Sequence, residues 1–328
     1  MSILVKRYMK FTLYITSLFL GIVSTAAFGQ SEPQYSHYMY NKQLINPAYA
    51  GSGDVVEFNA LYRTQYVGLS AKASSDEYFG FNMPIDAISS GIGLDVTNDM
   101  IGYLRTTSVN VNYDYRKKFR KFSLAVGIGA GFTQTGLQGS KLITPDGIYT
   151  GGSVNHNDAS VPATDVSGIS PNFSAGIYLN NEKWFAGVAV DNIYSVTKLP
   201  NTNITYARDL ILTGGYDFQV GRHFGIMPSA LVRTDLKEVQ DELSLTMRIY
   251  DNILTGVALR GYSLRSLDAA ILYAGFKFKG FRLVYSYDIN TSYLSGFNTG
   301  SHEISVAYQF GLKKKVTTGH YYYNSRFL

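Results

Sequence analysis

Residues 122–132 read Phe122-Ser123-Leu124-Ala125-Val126-Gly127-Ile128-Gly129-Ala130-Gly131-Phe132. Every second position, from Phe122 through Leu124, Val126, Ile128 and Ala130 to Phe132, is apolar, and the positions between hold only Ser, Ala and Gly. A period of two puts these sets on opposite faces of one β-strand, the bulky set facing an apolar medium and the small set facing something close. The Gly127-x-Gly129-x-Gly131 spacing superficially suggests a phosphate loop. It lies inside a strand with no helix after it, so wall packing explains it.

The same alternation recurs along the chain. Val109, Val111, Tyr113 and Tyr115 oppose Ser108, Asn110, Asn112 and Asp114. Phe281, Leu283, Tyr285, Tyr287 and Ile289 oppose Arg282, Val284, Ser286, Asp288 and Asn290, and Ile304, Val306, Tyr308 and Phe310 oppose Glu303, Ser305, Ala307 and Gln309. A soluble sandwich alternates as a membrane barrel does, so alternation leaves both open.

Connection lengths separate the two. From residue 54 the pattern reads as roughly fourteen strands, an even number as in bacterial single-chain barrels. They fall at about 54–66, 75–83, 90–98, 103–116, 119–135, 170–181, 183–192, 205–219, 223–233, 242–250, 253–262, 268–279, 281–290 and 303–311. The even-numbered connections are tight, as at Gly221-Arg222-His223, Asp251-Asn252 and Lys279-Gly280, whereas odd ones such as 136–169, 193–205 and 291–302 are long. Short periplasmic turns and long outer loops are the outer-membrane pattern, so an all-β transmembrane antiparallel barrel is expected. Tyr113, Tyr115, Tyr250 and Tyr262 sit where interfacial girdles belong.

Composition agrees. The chain has 27 Tyr, 19 Phe and 32 Gly with only 16% charged residues, which suits a membrane barrel or a large β protein. Lys6, Arg7 and Lys10 precede a short apolar run and small residues at Ala27-Phe28-Gly29, which predicts a secretory signal peptide over 1–29. Without those three cations, and with no acid in that segment, the formal +5 falls to +2, so bulk charge supports no nucleic-acid partner. The chain has no Cys, hence no disulfide framework and no thiolate metal site. The expected organisation is a signal peptide, a periplasmic lead-in or plug over 30–53, a barrel over 54–311 and a periplasmic tail over 312–328.

Catalytic and metal chemistry find little footing, and no cofactor is expected. His156 with Asp158, or His302 with Ser301 and Glu303, could pair a base with an orienting group, but solvated loop residues are the simpler reading. Asp146, Asp158 and Asp165 are too scattered for a calcium-loop spacing. The run Arg116-Lys117-Lys118-Phe119-Arg120-Lys121 and the triplet Lys313-Lys314-Lys315 fall on the expected periplasmic side, as hydrated rim charge or as an electrostatic docking rim.

The lead-in Gln34-Tyr35-Ser36-His37-Tyr38-Met39-Tyr40-Asn41-Lys42-Gln43-Leu44-Ile45-Asn46-Pro47-Ala48-Tyr49-Ala50-Gly51 resembles the start of the PorP/SprF family of type IX secretion outer-membrane proteins. Tyr62-Arg63-Thr64-Gln65-Tyr66 is similar to that family's YRxQW element, with Tyr66 where Trp is common. Val190-Asp191-Asn192-Ile193 is similar to its internal DN motif, and Ser301-His302-Glu303-Ile304-Ser305 to its last-strand SHEIS signature. The resemblance implies a non-enzymatic barrel that works with periplasmic and outer-membrane type IX components. It also implies the handling of large secreted adhesins, used in gliding, through their C-terminal domains. A diffusion porin or solute channel is the alternative.

Gln34, Tyr35, Tyr38, Asn46, Pro47, Tyr49 and Gly51 are the candidate plug contacts, since aromatics among amides, rigidified at Pro47, can pack in or under a barrel. Lys313, Lys314, Lys315, Tyr321, Tyr322, Tyr323, Arg326 and Phe327 are the candidate partner contacts of the tail.

Overall fold

The computed structural model describes residues 33–53, 55–69, 74–150, 154–194, 196–199, 202–261, 267–291 and 293–311. The segment expected to be a signal peptide, Tyr262 and the tail with Lys313, Lys314, Lys315, Tyr321, Tyr322, Tyr323, Arg326 and Phe327 lie outside the described residues.

The first strands are β1 (Val56–Gln65), β2 (Ser74–Ile85), β3 (Ser90–Ile101), β4 (Leu104–Lys118), β5 (Ser123–Gln138), β6 (Asp165–Asn180) and β7 (Trp184–Asp191). A small hairpin of β8 (Val196–Leu199) and β9 (Thr202–Thr205) forms a separate two-stranded sheet that packs on the inner side of the wall at Gly168 and Ser170, where Thr197 Oγ1 donates to Ser170 Oγ at 3.1 Å. There follow β10 (Asp209–Tyr216), β11 (Phe218–Val220), β12 (Phe224–Thr234), β13 (Val239–Ile249) and β14 (Ile253–Arg260). The last are β15 (Ala269–Phe278), β16 (Phe281–Asn290) and β17 (Ser301–Phe310).

β10 and β11 pair with β12 in one register, interrupted only at Tyr216 and Asp217, so the fifteen pieces of the main sheet form fourteen wall strands. β1 pairs antiparallel with β17, from Val56↔Phe310 to Thr64↔His302, and this closes the barrel. Closure leaves no edge over the shared height of the wall, which is what a strand-built membrane span requires.

The expected alternation is realised in the burial. Val126, Ile128 and Phe132 are exposed on the outer face, while Ala125, Thr133 and Thr135 are buried. Val111, Ile177, Leu212, Leu245, Val257 and Ile304 continue this apolar surface around the barrel, far beyond what a soluble monomer exposes. At one end Tyr115, Phe218, Phe224, Tyr250, Phe278, Phe281 and Phe310 form an exposed aromatic belt. All six turns at that end are short, spanning 86–89, 119–122, 181–183, 221–223, 250–252 and 279–280. The opposite end carries the connections 139–164, 192–208 and 291–300.

Three details differ from the sequence reading. β5 and β6 run past the expected 135 and 170, because the ladder continues to Gln138↔Asp165 and Ser140 Oγ donates to Asp165 Oδ1 at 2.6 Å. The strand expected from 205 begins at Asp209, and the connection before it contains the β8–β9 hairpin. Arg116 leaves the basic rim: it is buried beside Asp114, and its Nη2 donates to the Ala50 carbonyl at 3.3 Å.

Candidate functional site

Residues 33–53 run through the lumen as a strap, and their folding follows from local chemistry. The N–H groups of Tyr40 and Asn41 both donate to the His37 carbonyl, at 3.0 and 3.1 Å, which turns the chain tightly. Two short 3₁₀ helices follow, Lys42–Ile45 and Pro47–Tyr49. Asn46 is extended, as a residue before proline must be, and its Oδ1 accepts the Ala48 N–H at 2.9 Å to cap the second helix.

At its upper end, toward the long connections, the strap meets a buried ionic cluster. Arg63 of β1 reaches Asp288 of β16 at 2.8 Å and Glu303 of β17 at 3.1 Å. Arg260 of β14 reaches Asp288 at 3.0 Å and Glu242 of β13 at 2.8 Å. Ser36 Oγ accepts from Arg63 Nη1 at 2.9 Å and from Arg260 Nη2 at 2.8 Å, and its one proton goes to Asp288. A hydroxyl has one donor and two acceptor sites, so Ser36 is fully used. The N–H groups of Ser36 and His37 donate to Glu303 at 2.7 and 2.9 Å. Isolated charges would not survive here; each carboxylate is paired and hydrogen-bonded, the condition on which buried charge is tolerated.

His37 is fully buried. Its Nδ1 lies 3.1 Å from Glu303 Oε1 but out of line for a hydrogen bond, that oxygen accepting the His37 backbone N–H instead. Burial holds the His37 pKa below its ordinary value; Glu303 and Asp288 oppose the shift, and Arg63 and Arg282 add to it.

Lower down, the Tyr38 hydroxyl sits between Ser229 Oγ (3.0 Å) and Ser244 Oγ (3.3 Å). Gln43 Nε2 donates to the carbonyls of Phe81 and Leu94 and to Asp95 Oδ1, tying the strap to β2 and β3. Asn46 Nδ2 donates to the Ile177 carbonyl of β6 at 3.0 Å. Lys42 Nζ lies 3.6 Å from the Phe185 ring centroid, with the Tyr49 and Tyr178 rings beside it and those two rings edge to face at 5.4 Å.

The inner-face glycines make room for this. A Cβ on Gly127 would fall on the backbone of Ala48, and one on Gly91 on the Ala50 carbonyl. One on Gly93 would meet the Gln43 amide, and one on Gly176 the Asn46 side chain. Gly51 itself has φ +66, where a side chain is strained, and a Cβ there would strike Met83 and Pro84.

The strap therefore brings together Tyr38, Asn46, Pro47, Tyr49 and Gly51, with Gln34 and Tyr35 partly buried at its upper end. Sequence reasoning missed Ser36, His37, Gln43, Arg63, Arg260 and Asp288 as its anchors. The available signal was parity: Arg63, Asp288 and Glu303 occupy inward positions, where a barrel wall places a charge only against a partner.

Neither histidine pair considered from the sequence forms, and His156, Ser301 and Glu303 are buried and not solvated as expected. His302 Nδ1 bonds the Tyr285 hydroxyl at 2.7 Å, while Glu303 next to it faces the lumen. His156 is buried within its loop, with one ring nitrogen 3.0 Å from the Tyr149 hydroxyl and the other 3.0 Å from the Gly139 carbonyl. Asp158 Oδ1 accepts from Ser160 N, and Asp165 accepts from Ser140, so each has a local structural partner. Beside the strap, toward the long connections, lies a polar recess lined by Asp95, Asn110, Asn112, Asn172, Asp191 and Tyr206.

Among solved structures, the fold is similar to the Acinetobacter baumannii outer membrane protein Omp33 (8% identity, TM-score 0.42, 79% of this chain and 100% of that one). It is also similar to the Ralstonia pickettii toluene transporter TbuX (10%, 0.46, 82% and 93%). A third is a Pseudomonas aeruginosa FadL homologue (12%, 0.45, 86% and 95%). No curated protein matches the sequence. The family profile described as type IX secretion system membrane protein PorP/SprF matches residues 27–308, which covers the strap and all but the last two residues of β17. The chain belongs to the PorP/SprF family of type IX secretion system membrane proteins, as an outer-membrane β-barrel.

Proposed function

We propose that this barrel is a non-enzymatic receiving and anchoring component of type IX secretion, which binds the C-terminal domain of a large adhesin-type secreted protein at the cell surface. In this reading the long connections face outward, the short turns face the periplasm, and strap residues 33–53 act as a plug. The observation that carries it is the strap itself: it engages β1, β2, β3, β6, β12, β13, β16 and β17 from inside, and a barrel filled in this way suits docking better than conduction. Family membership supplies the secretion context, and a role in gliding follows from the adhesin class of substrate.

The periplasmic partners would meet the short-turn end, where Lys117, Lys118, Arg120 and Lys121 are exposed, together with the tail. The test is affinity purification of the full chain from its native membranes, with mass spectrometry. Recovery of an exported protein together with other type IX components is expected. Their absence, with the barrel intact, counts against the reading.

A further inference from the structure

The wall has one step in it. β6 pairs with β5 along its whole length, yet with β7 only from Ala175↔Val190 to Asn180↔Phe185. Asn192, in the left-handed region at φ +51, turns the chain away from β6, and Ile193 N–H makes one last bond, to the Phe173 carbonyl at 2.9 Å. The Phe173 carbonyl thus points away from β5. Because the β5–β6 register runs without a bulge, the backbone groups of Pro171, Ile169, Ser167 and Asp165 point the same way. Among the described residues no strand pairs with them there.

The composition of this edge matters. Natural edge strands are commonly blunted by inward charges, lysines, prolines or bulges. This one has Asp165 at its tip and Pro171 where an N–H is dispensable, and otherwise exposes Ile169, Pro171 and Phe173 on its outer face. On its inner face β8 covers Gly168 and Ser170, and beyond it Asn172 is buried at 8% exposure, lines the polar recess, and has an Oδ1 without a hydrogen-bond partner. A second chain laid along the edge would complete the ladder and bring side chains within reach of that oxygen.

The geometry points to β6, from Asp165 to Pro171, as a β-augmentation site that takes an extended segment of the secreted protein. That segment would be apolar on one face, to lie beside Ile169 and Phe173, and would offer amide or hydroxyl donors on the other, toward Asn172 and the recess. The inference rests on the anchoring reading above, because that reading supplies a protein at this end of the barrel.

The experiment places the photo-crosslinking residue p-benzoylphenylalanine at position 169 of the full chain in its native membranes. Val126 on the outer wall is the control position. An adduct between position 169 and an exported protein is expected, lost at least tenfold with Ser167→Pro, which deletes a free N–H without touching the β5 ladder, and retained with Ser167→Ala. Heat-modifiable gel mobility checks assembly of each variant, and Asp165→Pro replaces Ser167→Pro should the latter fail to assemble.

If the exported protein co-purifies but position 169 reacts only with lipid or with a second copy of the chain, the edge assignment is wrong and the anchoring reading stands. Indifference of the adduct to Ser167→Pro overturns it equally. If no exported protein accompanies the wild-type barrel, the anchoring reading fails and the edge assignment fails with it.

Discussion

Arg63 and Glu303 are direct cross-strand partners at the seam where β1 meets β17, and their side chains close to 3.1 Å beneath the strap. One is in the motif that opens the barrel and the other in the motif that ends it. The seam and the strap therefore share one set of hydrogen bonds, through the N–H groups that Ser36 and His37 donate to Glu303.

Removing one member of this cluster leaves the other charges buried without compensation. Arg63→Ala or Asp288→Ala is expected to destabilise the barrel by about 3–5 kcal/mol. Ser36→Ala, which strands a hydrogen bond to a charged group, is expected to cost about 1–3 kcal/mol. The check is the temperature at which gel mobility shifts; unchanged midpoints for all three would contradict the cluster's role.

Gly127→Leu would push a side chain into the backbone of Ala48. Its outer neighbours Val126 and Ile128 are untouched, so the barrel is expected to assemble while residues 42–50 lose their seat. Limited proteolysis of the purified barrel should then cut within the strap, where the wild type resists. Equal resistance in both would show that the strap does not depend on this glycine.

The fully buried His37 gives a pH dependence of definite sign. Its pKa lies below the ordinary 6.5 in the folded state, so the unfolded chain binds the proton first as pH falls. Stability from the neutral ring is complete above about 6.5 and declines below it. Glu303, Asp288, Arg63 and Arg282 also face the ring and shape the profile. His37→Asn removes only the histidine contribution, and the difference between the two melting profiles between pH 7.5 and 5 isolates it. A wild-type curve parallel to that of the variant would rule out the ring as the source.

Truncation after Lys315 tests the proposed role of the tail. Barrel assembly is expected to persist, because β17 ends at Phe310. Secretion of the surface protein is expected to fall. Normal secretion from the truncated chain would remove the tail from the partner surface.

The barrel wall was legible in the sequence because each strand faces two unlike media, and alternation such as Val126-Gly127-Ile128 records both. The tight turns were legible for the same reason: Lys279-Gly280 adopts positive φ at both residues between two alternating runs. The extension of β5 and β6 to Gln138 and Asp165 was not, because above the membrane the outer face need not be apolar and the period loses its contrast. The β8–β9 hairpin was hidden likewise among polar residues.

The strap was legible in part. Its aromatics and Asn46-Pro47 marked an ordered segment, and the glycines of β5 marked something close to the wall. That Ser36, Arg63, Asp288 and Glu303 converge could not be read, since positions more than two hundred residues apart meet only when the seam closes.

The most direct test of the whole account is conductance in planar bilayers, comparing the full protein as purified from its membranes with a form lacking residues 34–50. A lumen occupied by the strap predicts a nearly silent full-length protein and steady open channels after the deletion. Large, steady channels from the full-length protein would contradict the account and favour a solute channel.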